Sequence, residues 1–402
     1  MARYEYLRQT GITYQLTPAP GGLTRRADEI EIEIAAVILA AVPLHDVGGG
    51  SRGAQLALEM AGRGIHVTYV HRYDAAETVD LGLRFIHQGL EERRWDEFSI
   101  ESYLGRLRSP RRFVLVEFPH HDHASVAQTL QSSGFDLVYD LIDDWADRAL
   151  GGWWYEQEIE AGFIDSAAVL IASAPTLVSS LRSRSGRDAT LIPNAVNPSL
   201  FDAAKNYERP ADLPPGRIIG YHGSLYGNWF SWEAVRAVAL ANPDATVILI
   251  GDPPKERKQL PPNVQFLGLK PQAELAAYLA HTDVALVPFL VSDTTHAVSP
   301  LKVYEYLAMG VPVAAPPLDT LQGLEGVFCD DDLVVAVERS LAAPRPDPAI
   351  AMKEHTWGGR LETIFGLLGF TLPSPEQRVR IEQQPVRRYR PDERLITAPP
   401  GR

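Results

Sequence analysis

The feature that most constrains the fold of this sequence is an apolar strand followed by a glycine-rich turn, a helix and a second strand. Residues 35–41 are all apolar, which is typical of a strand in a parallel sheet that helices cover on both faces. A glycine-rich turn follows at 45–53, a helix is predicted over 54–63 and the next strand over 65–71. This order predicts a right-handed βαβ unit and therefore an α/β fold.

The length of the chain predicts more than one such domain. It has 402 residues, more than a single hydrophobic core normally serves. We predict a first Rossmann-like domain over 1–201, a linker with three prolines over 202–216 and a second Rossmann-like domain over 217–354. A terminal helix that crosses back to the first domain is predicted over 355–370, followed by a mobile tail over 371–402.

Charge and cysteine content exclude some classes of protein. The net charge of −13 argues against a nucleic-acid partner, because a phosphate backbone is bound by a basic surface. The single cysteine, Cys329, excludes a disulfide framework and favours a reducing compartment, so we expect a cytoplasmic protein. The most apolar run, residues 34–44, is too short to span a bilayer. Residues 1–30 show no clear period and are expected to form an extra strand or an arm.

A second constraining segment is the helix and strand predicted near residue 300. Ser299 is a good N-cap and Pro300 suits the first helical position. We expect a helix over 301–309, Gly310 in the left-handed cap position and a short strand over 311–315.

Two charged residues give this helix a chemical role. Lys302 lies in the first turn, where the macrodipole disfavours a cation unless an anion binds the same helix end. Glu305 lies one turn further along, near the same face, where it can bind sugar hydroxyls. The pattern fits a nucleotide-diphosphate ligand, although a capped surface helix with a Lys–Glu pair is the alternative.

The segment S-P-L-K-V-Y-E-Y-L-A-M-G-V-P-V-A resembles the donor site of GT-B glycosyltransferases, especially bacterial family-4-like enzymes of surface polysaccharide and glycolipid synthesis. Y-D-L-I-D-D-W at 139–145 and P-N-A-V-N-P-S-L-F at 193–201 resemble the same family. The resemblance implies two Rossmann-like domains whose parallel sheets face each other across a cleft. It also implies an enzyme that moves a sugar from a nucleotide-diphosphate sugar to an acceptor hydroxyl.

The resemblance also assigns residues to the donor. In this family the helix N-terminus meets the diphosphate, the helix glutamate holds the ribose, and the strand at 264–268 lies near the base. Carried over, the expected donor-binding residues are Gly223, Ser224, Phe266, Leu267, Ser299, Pro300, Leu301, Lys302 and Glu305. The donor is expected to be UDP- or GDP-linked and the acceptor a sugar, a glycolipid or a glycan, with no cofactor and no metal.

The first domain is expected to supply the acceptor side of the cleft. Glycines of the first turn let backbone approach a ligand closely, and an ordinary turn without a ligand is the alternative. These turn residues are Gly48, Gly49 and Gly50. Asp143 and Asp144 follow a predicted strand, at the edge where ligands of open α/β sheets bind. One of them is expected to be the general base while the other caps the next helix, or both are caps.

Histidines are the next candidates for the general base. His121 or His45 follows the two aspartates in our order of preference. The run at 120–123 contains three histidines and an aspartate, but its spacing suits a metal poorly, so we favour acceptor contact or a plain loop. Residues 89–110 mix arginines with aromatics, which indicates either a solvated helical lid or a peripheral contact with an anionic membrane.

The stereochemistry stays open at this point. Retaining family-4 enzymes usually carry an Arg and a Lys in the loop at 223–229, which has neither here, and Ala297 stands where they usually place a further glutamate. Inverting plant-type enzymes place a histidine near Gly49. The P-L-K at 300–302 is similar to the inverting xanthan glucuronosyltransferase family, so we expect inversion. A GT-B-fold UDP-sugar epimerase and a non-catalytic nucleotide-sugar binder are the alternative functions.

Overall fold

The structure is a computed structural model, and it describes residues 30, 31, 33–75, 79–148, 150, 152–225, 227, 229–252, 259–375, 379–384, 387 and 388. The arm predicted over 1–30 lies outside this part of the chain except for Ile30. The strands within it are β1 (Ile30–Glu31), β2 (Ile34–Ala40), β3 (His66–His71), β4 (Val79–Asp80), β5 (Leu83–Ile86), β6 (Leu90–Arg94), β7 (Leu107–Arg108), β8 (Arg111–Val116), β9 (Asp136–Leu141), β10 (Val169–Ala172), β11 (Thr190–Leu191), β12 (Arg217–His222), β13 (Ala245–Ile250), β14 (Val264–Gly268), β15 (Val284–Leu286), β16 (Val313–Ala315), β17 (Val327–Cys329), β18 (Arg380–Gln383) and β19 (Arg387–Arg388).

Helices follow many of these strands, as the crossovers of a parallel sheet usually require. They are α1 (Arg52–Gly62), α2 (Ile100–Arg106), α3 (His121–Ser132), α4 (Gln157–Ser166), α5 (Pro175–Ser185), α6 (Trp232–Ala241), α7 (Gln272–Leu279), α8 (Asp293–His296), α9 (Leu301–Ala308), α10 (Leu333–Ala342), α11 (Pro348–Glu354) and α12 (Trp357–Leu368).

Strand β2 lies inside a parallel sheet of the first domain, and all seven of its residues are buried. The described strands of this sheet run in the order β11-β10-β9-β8-β2-β3-β6. Ile34, Ala36 and Ile38 pack into the apolar cluster on one face, and Val37 and Leu39 into the cluster on the other. The predicted parallel sheet, covered by helices on both faces, is therefore confirmed.

The second domain repeats the architecture with its own core. Its described strands run in the order β14-β13-β12-β15-β16-β17, and every pairing between them is parallel. The strand bounds near residue 264 match the predicted ones. The carboxyl ends of β12 and β13 lead into glycines, Gly223 and Gly251, which lie at the ligand-binding edge of such a sheet.

The end of the chain packs against the first domain. Helix α12 contacts helix α1, and the rings of Phe365 and Phe113 meet edge-on at 5.7 Å. Trp357 and Leu361 belong to the same apolar cluster as strand β2. Burial of these side chains ties residues 357–368 to the first domain rather than to the second.

The tail differs from the prediction. Residues 371–402 were expected to be mobile, yet β18 pairs antiparallel with β5 and β19 pairs antiparallel with β4. The backbone of Gln384 donates to the carbonyl of Gly82, which extends the first pairing. The tail therefore contains two paired strands that its composition does not reveal, because their partners β5 and β4 lie far away in the sequence.

The arginine-rich stretch at 89–110 is not a helical lid. Its first part is strand β6 inside the sheet, and α2 and β7 follow. Tyr103 is buried, and Trp95 and Phe98 are half-buried. Arg93 and Arg94 pair with neighbouring carboxylates. None of the helices among the described residues combines the length and the apolar character needed to cross a bilayer.

Helix α9 begins at Leu301 as predicted, but its N-cap differs from the predicted one. Pro300 holds the N-cap position, and Ser299 does not cap the helix because its hydroxyl accepts a hydrogen bond from the backbone of Asn194 in the first domain. The other end is as predicted, since Gly310 has φ 65° and the N–H of Val311 donates to the carbonyl of Tyr306.

Candidate functional site

A cavity of about 130 Å³ lies between the two domains. Val47 and Gly50 of the glycine-rich turn line it from the first domain. From the second domain it is lined by residues that the sequence assigned to the donor, namely Gly223, Ser224, Leu301, Lys302 and Glu305. The fold therefore brings together the turn after β2, the loop after β12 and the first turns of α9.

Glu305 is the most constrained residue of this cavity. It is only 2% exposed, and both carboxylate oxygens have partners. The imidazole of His222 donates from Nε2 to Oε2 at 2.6 Å, and the Gln272 amide donates from Nε2 to Oε1 at 2.5 Å. The backbone N–H of His222 also donates to the Tyr306 hydroxyl at 3.1 Å. The carboxylate is thus held in one position, with lone pairs left to accept from a ligand.

Lys302 brings a positive charge to the same cavity. Its Nζ lies 5.4 Å from the ring centroid of Tyr221 and 5.2 Å from that of Phe289. Among the described residues, no carboxylate forms a salt bridge with it. Burial lowers the pKa of Lys302 to about 8, and the charge of Glu305 opposes this shift. A cation held in this way between aromatic rings favours binding of an anion.

Two glycines allow backbone and Lys302 to meet closely. A Cβ on Gly251 would lie 2.1 Å from the carbonyl oxygen of Gly223, which no side chain permits. Gly223 itself has φ 130°, and a Cβ there would lie 2.7 Å from Cε of Lys302. The loop after β12 thus places backbone beside the lysine, as a site for phosphate requires.

The glycine-rich turn of the first domain contacts the second domain directly. Gly48 and Gly49 have φ values of 63° and 88°, and Val47 has φ 51°. A Cβ on Gly48 would lie 2.8 Å from the carbonyl oxygen of Lys270. Gly48 and Gly49 are therefore needed for the turn and for the approach of the two domains, while Gly50 lines the cavity.

Side-chain amides extend from Glu305 into the first domain. Gln272 donates to Glu305 and accepts at its own Oε1 from the Gln55 amide at 2.8 Å. The same Gln55 nitrogen donates to the carbonyl of Gly49 at 2.7 Å, and Gln55 accepts from the Asn197 amide at 3.1 Å. Hydrogen bonds thus run without a gap from the donor-side carboxylate to helix α1.

A second connection joins the domains at Ser299. The Asn194 side chain donates to the Ser299 carbonyl at 2.6 Å and accepts from Arg52 at 3.1 Å. Arg52 also pairs with the fully buried Asp140, with Nε 2.8 Å from Oδ2 and Nη2 3.1 Å from Oδ1. Ser299 and Pro300 are both predicted donor residues, but neither lines the cavity. The contact with Asn194 holds this part of the chain against the first domain.

Two predicted base-binding residues also lie elsewhere. Phe266 is 40% exposed, with its ring 6.2 Å from that of Trp232, and neither Phe266 nor Leu267 lines the cavity. Leu269 and Leu275 line it instead. The expected contact of β14 with the nucleotide base stays a prediction, and the turn after the strand contributes Leu269 to the cavity.

The two aspartates after β9 differ in environment. Asp143 is half-buried, and burial, with the charge of Asp144 as a second cause, raises its pKa to about 7. Asp144 is exposed and accepts from the backbone N–H of Ala146 at 3.2 Å. Asp147, on the same loop, accepts a hydrogen bond from Thr294 of the second domain. Asp143 and Asp144 do not line the 130 Å³ cavity, but their loop reaches the facing domain.

A third acidic residue lies beside them. Glu117 follows β8, is 5% exposed, and its Oε2 has no hydrogen-bond partner among the described residues. Burial, then the charge of Asp140, raises its pKa to about 8, and Arg52 opposes the shift. A Cβ on Gly53 would lie 2.3 Å from Oε1, so the carboxyl group rests against the first turn of α1.

The predicted histidines lie away from the cavity. His121 is exposed, and its Nδ1 lies 3.0 Å from Oε1 of Glu156. Burial lowers the pKa of His45, and this residue does not line the cavity either. The ligand atoms of His120, His121 and Asp122 lie within 4.8 Å of one another, but Arg72 contacts Asp122 at 2.5 Å and already neutralises it.

Sequence reasoning missed the residues that hold Glu305. His222 is the last residue of β12, and the position of ligands beyond strand ends was the signal that could have found it. Gln272 and Gln55 carry no comparable signal, because a glutamine near the start of a helix is unremarkable in sequence. Arg52, Asp140 and Asn194 were likewise found only through the structure.

Comparisons with known proteins agree with this geometry. Residues 216–343 match the family described as glycosyl transferases group 1. The protein TuaH of Bacillus subtilis strain 168, provisionally named a teichuronic acid biosynthesis glycosyltransferase, is 26% identical over 208 residues. That match spans 47% of this chain and 52% of the relative, so about half the length of each is compared.

Solved structures extend the similarity to most of the chain. The sucrose-phosphate synthase of Thermosynechococcus elongatus has a TM-score of 0.56 at 18% identity and covers 83% of this chain and 98% of its own. Anabaena HepE in complex with UDP and glucose has a TM-score of 0.57 at 14% identity, over 83% and 99%. The predicted GT-B fold is confirmed, and the predicted relationship to glycosyltransferases is confirmed for residues 216–343.

Proposed function

We propose that this chain, which has the GT-B fold and a group 1 glycosyltransferase domain over residues 216–343, transfers a sugar from a nucleotide-diphosphate sugar to an acceptor hydroxyl. The acceptor is a growing surface polysaccharide or another glycoconjugate. The similarity to TuaH, named for teichuronic acid biosynthesis, supports this acceptor class. The single cysteine agrees with a reaction in the cytoplasm.

One observation carries the proposal. Lys302, Glu305 and the loop at Gly223 converge on one cavity between the domains. A cation without a carboxylate partner among the described residues suits a diphosphate, and a fixed carboxylate one turn further along the helix suits a ribose diol. A Lys–Glu pair on a surface helix, the alternative from sequence, does not explain why Glu305 is buried and Lys302 half-buried.

The proposed chemistry follows from where charge develops. Negative charge grows on the leaving nucleoside diphosphate as the anomeric bond breaks. Lys302 and the backbone N–H groups at the start of α9 stabilise that charge without reorganising. Because the lysine supplies positive charge at the phosphates, we propose that transfer proceeds without a metal ion and retains its rate in a chelator.

Asp143 is our candidate for the general base. A base that removes a proton from the acceptor hydroxyl works best with a pKa near the working pH, and the pKa of Asp143 is raised to about 7. Its loop belongs to the first domain, whereas the donor residues belong to the second. A base and a donor on opposite sides of a cleft suit direct displacement, so we propose inversion of configuration.

Donor binding also requires a change in the cleft. The cavity of about 130 Å³ is smaller than the roughly 300–1,000 Å³ typical of small-molecule sites. The turn at Gly48 and the carbonyl of Lys270 close it on one side. We propose that the two domains separate to admit the donor and close again around it.

A thermal-shift screen with UDP, GDP and their sugars is the first test. A nucleotide that binds the folded protein raises the melting temperature by mass action, and Lys302→Ala is expected to reduce that rise. An equal rise in both proteins would remove the phosphate role of Lys302. Transfer is then measured with sugar and glycan acceptors. Turnover of the donor without acceptor indicates an epimerase, and tight binding without turnover indicates a binding protein.

A further inference from the structure

The geometry points to Gln55 and Gln272 as positioning residues that link closure of the cleft to the orientation of Glu305. This inference rests on the proposed function, since it assigns Glu305 to the donor. Gln272 holds the carboxylate directly, and Gln55 holds Gln272 from the other domain. The two glutamines are a relay between the acceptor-side domain and the donor site.

The direction of each hydrogen bond is fixed by chemistry. The carboxylate of Glu305 accepts only, so Gln272 must present its NH₂ group to it and its carbonyl to Gln55. Gln55 then donates its NH₂ to Gln272 and accepts from Asn197 with its carbonyl. Each amide therefore has one orientation, and a buried network of this kind specifies one arrangement.

Burial makes the relay sensitive to a missing member. Gln55 is 1% exposed, Gln272 is 4% exposed and Glu305 is 2% exposed. Water does not readily replace a partner at such positions, so a lost hydrogen bond leaves a polar group unsatisfied. Gln55 lies on α1 and Gln272 at the start of α7, so the bond between them forms only when the two domains are in contact.

The consequence concerns the donor. When the cleft opens, Gln272 loses its hydrogen bond to Gln55. Glu305 then keeps Gln272 as a partner, but the side chain of Gln272 is free to rotate. When the cleft closes around the donor, the relay re-forms and holds Glu305 for the ribose. A plain domain contact would act on closure without involving Glu305, whereas the relay ties closure to the orientation of the carboxylate proposed to bind the ribose.

A double-mutant cycle tests the relay. Gln55→Ala, Gln272→Ala and the double variant are compared with the unaltered protein by calorimetric titration with UDP. We expect Gln55→Ala to weaken UDP binding about three- to tenfold, the range for one buried neutral hydrogen bond. Gln272→Ala is expected to weaken it at least as much, because its bond to the Glu305 carboxylate is charge-assisted. The double variant is expected to be no weaker than the worse single variant. Effects that multiply instead would mean independent roles and would overturn the relay.

A pH readout separates positioning from simple packing. In Gln272→Glu the new carboxyl group and Glu305 must share a proton to keep their bond, so UDP binding relative to the unaltered protein should recover as the pH falls. Other titratable groups line the cavities at this position or lie in the facing glycine turn, and they are common to both proteins, namely His222, Lys302, Lys270, Glu59, Arg63 and Asp46. A ratio that is constant with pH would overturn the assignment.

A control variant and the unaltered protein distinguish failure of the relay from failure of the proposed function. Gln128→Ala, at an exposed position of helix α3, is the matched control and should leave UDP binding unchanged. If the unaltered protein binds neither UDP nor GDP, the proposed function fails and the relay fails with it. If it binds one of them and the cycle is additive, the relay alone is wrong.

Discussion

The imidazole of His222 donates to the carboxylate of Glu305 across 2.6 Å, although the two residues are 83 positions apart. His222 is 6% exposed and Glu305 is 2% exposed, so the bond is withdrawn from water. It joins the carboxyl end of β12 to helix α9 within one domain. Glu305 is therefore fixed from two sides, by His222 in its own domain and by the amides that reach it from the cleft.

Removal of His222 tests the first of these supports. His222→Ala leaves one oxygen of Glu305 without its partner, which is expected to lower the free energy of unfolding by about 1–3 kcal/mol and to weaken nucleotide binding. Urea denaturation and UDP titration measure the two effects. His281→Ala removes a half-buried histidine bonded to the Tyr207 carbonyl, away from the cavity, and should leave UDP binding unchanged. Equal UDP affinity in both variants would contradict the role of His222.

Lys302 is expected to make donor binding depend on pH. Its pKa is lowered to about 8, so the free protein loses this charge as the pH rises through that value. A diphosphate binds the protonated form, and affinity for UDP should therefore fall as the pH rises above about 8. Lys302→Arg keeps its charge and should remove this fall. UDP titrations between about pH 6.5 and 9.5 compare the unaltered protein with the Arg variant. If the affinity of both falls in parallel, a group other than Lys302 titrates.

The same lysine illustrates how far sequence reasoning reaches. The apolar run at β2, the proline before α9 and Gly310 after it are local signals, and the structure has the sheet, the helix and the left-handed cap there. Lys302 and Glu305 share one helix, so their spacing alone predicted that they act together. Neighbouring strand ends are likewise set by parallel topology.

What sequence could not predict depends on contacts across long separations. Gln55 and Gln272 are 217 positions apart, and no local pattern indicates that they meet. Ser299 was expected to cap its helix, yet its hydroxyl accepts a hydrogen bond from the backbone of Asn194, 105 positions earlier. The environment of Phe266, whose ring lies 6.2 Å from that of Trp232, likewise depends on a residue outside its own strand.

The two aspartates after β9 are expected to respond differently to the same change. Asp143→Asn should reduce transfer by about 10²–10⁴-fold, the usual contribution of a general base. Asp144→Asn should leave turnover at high pH near normal. It should also shift the acidic limb of the rate profile to lower pH, because the charge of Asp144 helps to raise the pKa of Asp143 to about 7. The pH dependence of kcat measures both. Near-normal turnover in the Asp143 variant would remove it from the role of base.

The buried pair of Arg52 and Asp140 is expected to matter for stability. Arg52→Ala leaves the carboxylate of Asp140, which is fully buried, without its cation and should cost about 3–5 kcal/mol of unfolding free energy. Arg339→Ala breaks an exposed pair with Asp330 and should cost less than about 1 kcal/mol. Urea denaturation of the two variants checks the difference. Similar losses would mean that Asp140 finds another partner or takes up a proton.

Because Gly251 lies close to Gly223, the same glycine-to-alanine substitution is expected to have opposite effects at Gly251 and at Gly162. Gly251→Ala would place a methyl group 2.1 Å from the Gly223 carbonyl and must displace the loop that borders Lys302, so both stability and UDP affinity should fall. Gly162→Ala adds the same group in the middle of helix α4, where nothing lies within 4 Å, and should stabilise the protein by about 0.5–1 kcal/mol. Thermal unfolding with and without UDP compares them. A Gly251 variant that binds UDP normally would show that the loop is not part of the donor site.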